Sequence, residues 1–308
     1  MLFTYQTIAD SLVCCDTIEE GSWINLINPT EMEINKVVEA TGLDYDFLKY
    51  ALDDEESPRI EVEDDQTLLI INIPIIEKGD ILYETIPLGI VLNDDYIVTV
   101  CLEDANLFQE ITSGRIKDIA TFKKTRFIIS LFHRKTNLFL RYLRDIHRRN
   151  SEIEASLHQS MRNEKLISLL NLQKSLVYFS TSLRANAKVL ERLLRGKAVK
   201  MYEEDEDLLE DVIIENRQAI EMADVYSNIL SSTMNSAAAL ISNNLTIVMK
   251  FLTAITIILA IPTLIASIWG MNVPLPLQNS PYGFLILVLA SLLACILGAW
   301  FLIKKDMF

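Results

Sequence analysis

Between Lys250 and Lys304 the sequence contains no Asp, Glu, Lys, Arg or His. A surface facing water needs charge over so long a stretch, so this part is excluded from an ordinary soluble domain. Proline is missing from Phe122 to Asn244, and Ser113-Gly114 and Gly196 are the only glycine breaks nearby. That absence excludes a region of short elements and frequent turns. Histidine occurs only at His133, His147 and His158, and no two cysteines are spaced CxxC, which leaves no zinc-site framework. Cys14, Cys15, Cys101 and Cys295 are therefore read as structural thiols. There is no P-loop, catalytic triad or glycine-rich phosphate cradle, so neither an enzyme nor an energy-coupled pump is expected. The opening MLFTYQTIADSLV lacks the basic start and apolar core of a secretory leader, and roughly the first 200 residues are expected to stay in the cytoplasm.

What is present divides in two. The net charge is −14 although 50% of the residues are hydrophobic, and the mean hydropathy is positive. Those properties conflict within one soluble domain but agree if charge and apolar residues occupy different segments. The acidic residues do crowd the region before Lys250. The expected organisation is a cytoplasmic α/β domain over 1–121, long cytoplasmic helices over 122–245, a membrane part over 246–303 and a basic tail over 304–308.

In the first part, SWINLINPT reads as a short strand into a turn, with Thr30 as N-cap and Glu33 as its capping-box partner. A helix from about Glu31 to Ala40 should stop at Gly42, and a second should run from about Tyr45 to Leu52. TLLIINIPII, IPLGIVL and YIVTVC are β-rich runs separated by turn residues. The long periodicity that follows predicts helices from about Phe122 to Met161, Glu164 to Leu194, and Glu204 onward. The cluster RYLRDIHRRN is read as a solvated helix face, because an acidic protein repels nucleic acid. SSTMNSAAALISNN, at 231–244, is rich in small residues, which suit either an oligomeric stalk or packing within one subunit.

Residues 246–269 and 283–303 are each long enough to cross a hydrocarbon layer about 30 Å thick. The proline-rich loop NVPLPLQNSPY makes them a hairpin. Lys250, Lys304 and Lys305 flank it on one side, which places both termini in the cytoplasm and the loop outside a cell membrane. On the first span Met249, Thr253, Thr256, Ala260, Thr263, Ser267 and Gly270 recur at steps of four and three, forming one stripe. A polar stripe gains nothing from lipid, so it faces other helices or water; periodicity does not separate the two. A pore would need several copies around an axis, since two spans cannot enclose one. Asn272 would then form a ring of carboxamides at the outer mouth, able to hydrogen-bond the tightly held waters of Mg²⁺ without stripping them. The plainer alternative for Gly270-Met271-Asn272 is a helix C-cap.

At this tripeptide the sequence resembles the CorA family of magnesium channels. VMKFLT at the membrane boundary, SPRIEVEDD followed by strands, and the basic tail fit the same layout over essentially the whole chain. The resemblance implies a funnel-shaped homopentamer with an α+β cytoplasmic domain, very long helices and a two-helix transmembrane hairpin. It implies a selectivity filter of Gly270, Met271 and Asn272. Met249 and Leu252 would match a hydrophobic gate, Thr263 a deeper polar ring, and Lys304 and Lys305 a basic collar. A regulatory Mg²⁺ site would draw on Asp211, with Asp53 and Asp54 as nearby candidates. Two departures stand out: the outer loop has no carboxylate, and Lys49 and Tyr50 occupy positions where some relatives carry acidic partners of the sensor.

The expected function is passive uptake of divalent cations, Mg²⁺ first and Co²⁺ or Ni²⁺ besides. The partners are further copies of the chain, the lipid bilayer and the ion, with no nucleic acid. The runner-up is a ZntB-like zinc transporter, with or without proton coupling. A third reading, a non-conducting membrane-anchored scaffold, gives the stripe a packing role only.

Overall fold

A computed structural model describes residues 1–8, 11–76, 83–112, 120–157, 163–196, 198–271 and 281–305. The chain divides into two compact units, Met1–Thr233 and Met234–Phe308.

The first unit is built on a seven-stranded mixed sheet in the order β2-β1-β3-β7-β6-β5-β4. The strands are β1 (Leu2–Ile8), β2 (Ser11–Cys15), β3 (Trp23–Ile27), β4 (Arg59–Glu63), β5 (Gln66–Ile76), β6 (Tyr83–Leu92) and β7 (Ile97–Cys101). Among the described strands only β3 and β7 run parallel. They are buried along their whole length, as expected of central strands covered on both faces. Ile24 and Leu26 face helices α1 (Glu31–Thr41) and α2 (Tyr45–Tyr50), in one cluster with Val37, Phe47, Leu48 and Val100. Trp23 points to the other face, where its ring packs on Phe127 at 5.1 Å and its Nε1–H donates to Thr99 Oγ1 at 2.8 Å.

Helix α1 starts where local chemistry says it should. Thr30 accepts from the Glu33 N–H while Glu33 accepts from the Thr30 N–H, and Gly42 closes the helix at φ 69°. Helices α3 (Asn106–Thr112), α4 (Lys124–Leu157) and α5 (Asn163–Arg195) follow. The buried polar residues of α5 find partners on the sheet: Ser175 Oγ accepts the Tyr83 N–H at 3.0 Å, and Ser182 donates to or accepts from Thr85 at 2.8 Å. Tyr83 donates its phenolic proton to Asp145 of α4, which also takes Arg149 at 2.6 Å and Arg148.

Helix α6 (Glu203–Trp269) contributes its first part to this unit. His133 lies 3.3 Å from Glu215, His147 stacks on Tyr226 at 4.5 Å, and Asn216 donates to Leu183 O at 3.0 Å, so α4 and α5 both grip it. The antiparallel pairing of β1 with β2 was not foreseen from sequence, and the described residues of MLFTYQTIADSLV lie largely in these two strands. Ser113-Gly114, read as a glycine break, lies outside the described residues.

In the second unit the remainder of α6 runs beside α7 (Gly283–Lys304). Both contain stretches long and apolar enough to cross a membrane. The architecture is thus an α+β domain with long helices, followed by two apolar helices.

Candidate pore-lining face

Two different faces of α6 emerge in its apolar part. One consists of Ala254, Ile258, Ile261, Ile265 and Trp269, all buried or half-buried. It meets α7: the Cys295 thiol donates to Ile258 O at 3.7 Å, and a Cβ added to Gly298 would stand only 2.9 Å from Ile261 Cδ1. Any larger residue there would oblige the end of the Ile261 side chain to shift. Ala294, Cys295 and Gly298 are the small residues that let the two helices come together.

The other face carries Met249, Leu252, Thr256, Ala260, Thr263, Ser267 and Gly270, every one exposed. At 3.6 residues per turn its centre lies roughly half a turn from the α7 face. Among the described residues the stripe therefore takes no part in packing α6 on α7. Met249 is 60% exposed and Leu252 63%.

The hydroxyls on this face are oriented. Thr256 donates to Leu252 O at 2.8 Å and Thr263 to Leu259 O at 3.1 Å. Each proton is committed to the carbonyl four residues back, so the oxygen lone pairs remain as outward acceptors. A face of acceptors suits the waters around a cation and offers nothing to an anion.

At the C-terminal end of α6 the Gly270 N–H donates to Ala266 O at 2.9 Å and the Met271 N–H to Ile268 O at 3.3 Å. These bonds carry the helical pattern into the tripeptide. Asn272 lies outside the described residues. At the other end of α7, Lys304 and Lys305 are exposed and fold back over the rings of Trp300 and Phe301, at 5.4 and 5.7 Å. Such aromatic and basic pairs are at home at a lipid–water boundary.

The acidic residues are placed less suggestively. Asp211 is exposed on α6. Asp53 Oδ1 accepts the Glu55 N–H at 3.1 Å, Asp54 is exposed, and Glu56 is engaged by Arg59. Among the described residues no group of three or more His, Cys, Asp or Glu side chains could hold a metal. Any regulatory ion at Asp211 would need ligands from elsewhere.

Sequence reasoning missed the role of Cys295 and Gly298 in the α7 contact. The signal was there in the small residues of LACILG, but α7 is apolar all round and its packing face has no polar contrast to mark it.

The family model described as CorA-like Mg2+ transporter protein matches residues 19–305. The cobalt/magnesium transport protein CorA of Methanocaldococcus jannaschii is 32% identical over 294 residues, covering 92% of this chain and 90% of the relative. The complete structure of the CorA magnesium transporter from the same organism superposes with a TM-score of 0.84 at 25% identity, covering 100% of this chain and 99% of that one. The cytoplasmic domain of ZntB from Vibrio parahaemolyticus shares the fold, with a TM-score of 0.61 at 12% identity over 78% of this chain and 98% of that domain.

Proposed function

The chain belongs to the CorA-like Mg2+ transporter family, and from that premise we propose that it is a homopentameric channel for hydrated Mg²⁺ in the cell membrane, with both termini cytoplasmic. Members of this family transport divalent cations and are not enzymes. One observation supports the pore reading most: the stripe from Met249 to Gly270 is exposed and lies opposite the face that holds α7. In a ring of copies that face turns inward while α7 turns to lipid.

On this reading residues 1–121 form the α/β domain, 122–245 the long helices, 246–303 the pore domain and 304–308 the tail. Gly270, Met271 and Asn272 form the filter, with Asn272 carboxamides gripping the ion through its waters. Magnesium releases first-shell water reluctantly, so neutral acceptors at that radius select without dehydrating. Thr256, Ala260, Thr263 and Ser267 line the path with acceptor oxygens or small side chains. Met249 and Leu252 form its apolar constriction, which closes by shedding water. Lys304 and Lys305 make a basic collar, and Asp211, with Asp53 and Asp54, contributes to a regulatory Mg²⁺ site completed by a neighbouring copy. The membrane potential drives uptake by about 4.6 kcal/mol per divalent ion per 100 mV, so no coupled reaction is required.

The test is ion flux into liposomes holding the purified protein, with Mg²⁺ and Zn²⁺ compared for wild type and Asn272→Ala. Magnesium uptake that disappears in the variant is the expected result. Zinc uptake with a pH dependence and no magnesium uptake would overturn it in favour of a ZntB-like carrier. Silence for both ions in assembled protein would leave a scaffold.

A further inference from the structure

Pro262 sits inside α6. A proline has no N–H, so the carbonyl four residues earlier loses its helical partner. That carbonyl is Ile258 O, and it is the atom to which the Cys295 thiol of α7 points, at 3.7 Å. In hydrocarbon an unpaired carbonyl has no water to turn to, and prolines are tolerated in spanning helices where a neighbour supplies the missing donor. The helix's own hydroxyls beside the gap are already committed, Thr256 to Leu252 O and Thr263 to Leu259 O. Gly298, three residues beyond Cys295, gives Ile261 the room that brings the two backbones together at this level.

We propose that Cys295 is a positioning residue for the candidate pore helix: its thiol supplies, from the second span, the hydrogen bond that Pro262 removes from Ile258. The contact joins α7 to α6 at the one point where the α6 ladder is interrupted. Thr256 lies two residues before Ile258 and Thr263 one residue after Pro262, so the interruption falls in the middle of the exposed stripe. With Ile258 O held, the segments on either side keep a common rotation, and the acceptor oxygens of Thr256 and Thr263 stay on one line. Without the thiol, the freed carbonyl is relieved only by local unwinding, which turns the outer part of the stripe relative to the inner part. The inference rests on two helices of a single chain and does not depend on which ion crosses or how many copies assemble.

The thiol can be watched directly, because S–H stretching falls in an infrared window free of other protein bands. The experiment uses the full-length protein in lipid bilayers as wild type, Cys295→Ala, Pro262→Ala and the double variant. Wild type minus Cys295→Ala isolates the Cys295 band from those of the other cysteines. We expect that band at the lowered frequency of a hydrogen-bonded thiol. In the Pro262→Ala background, where residue 262 regains an N–H for Ile258 O, the band should move up to the position of a free thiol. A free-thiol band in wild type, or a band that Pro262→Ala leaves in place, overturns the proposal. If Pro262→Ala does not assemble, the wild-type difference spectrum decides alone. Where flux is measurable, Cys295→Ala should lower the initial rate about two- to fivefold, the scale of a weak S–H···O bond, and have no further effect on top of Pro262→Ala. Equal losses in both backgrounds would mean that the side chain acts by bulk alone and would also overturn it. Absence of flux from wild type would count against the channel reading, while the spectra would still decide the role of the thiol.

Discussion

Asn186 of helix α5 is hydrogen-bonded to Asn72 of strand β5 in the way a neighbouring strand would be. Its Oδ1 accepts the Asn72 N–H and its Nδ2 donates to the Asn72 carbonyl, both at 2.8 Å. Strand β4 pairs with β5 only as far as Ile70, so the strand edge beyond it has backbone groups to satisfy. Asn186 is fully buried, and one side chain completes the ladder where the sheet runs out of strand.

Asn186→Leu keeps the branching of the side chain and removes both bonds. It should destabilise the protein by about 2–4 kcal/mol, the cost of leaving two buried backbone groups unpaired. Thermal unfolding of the purified protein in detergent checks this. An unchanged midpoint would show that water or a shifted strand takes over the role.

Lys135 of α4 is fully buried, and among the described residues its Nζ has no hydrogen-bond partner, lying 5.7 Å from the Phe132 ring centre. Burial lowers its pKa from 10.5 to about 7. Between about pH 7 and 10.5 the unfolded chain therefore binds more protons than the folded one, and stability should rise with pH across that window. Below pH 7 the penalty is present in full. Lys135→Met should raise the melting temperature at pH 7 by several degrees and flatten the rise. Unfolding midpoints of both proteins from pH 6 to 10 would show it, and parallel curves would argue that a bound water or anion already neutralises the amine.

Thr256→Val and Thr263→Val keep the shape of the side chain and remove its acceptor oxygen. Each should lower magnesium flux several-fold without changing assembly, with the double variant losing more than either alone. Thr253, also on the stripe, is a useful comparison for how far along the path polarity matters. Flux into liposomes together with size-exclusion profiles separates conduction from folding. Full flux in the double variant would take the hydroxyls off the ion's path.

What could be read from the sequence follows the range of the interaction. The α1 cap was legible because Thr30 and Glu33 lie three residues apart and need no tertiary partner. The α6 stripe was legible because a helix repeats its faces whatever surrounds it. Strands β1 and β2 were not, since their burial is only partial and the alternation that marks a half-buried strand is faint. The pairing of Asn186 with Asn72 spans 114 residues, and nothing local announces it. The contact of Cys295 with Ile258 was hidden for another reason. A proline in an apolar helix shows that a donor is needed, but not which neighbour provides it. In the candidate site, Asp211 was placed by resemblance alone, and among the described residues of one chain it belongs to no ligand cluster.

From residue 241 to 250 helix α6 is exposed on every side within one chain, and that includes Ile241, Leu245, Ile247, Val248 and Met249. A newly made subunit therefore shows uncovered side chains all the way round from residue 241 up to the membrane part, much as an unfinished protein does. Chaperones and quality-control proteases respond to such apolar surface. In the proposed assembly, lipid covers the part beyond residue 246 and neighbouring copies cover the rest, so maturation would become a matter of mass action. Sparse subunits would then be removed as defective although each is correctly folded, and the level of synthesis would set how many survive to work.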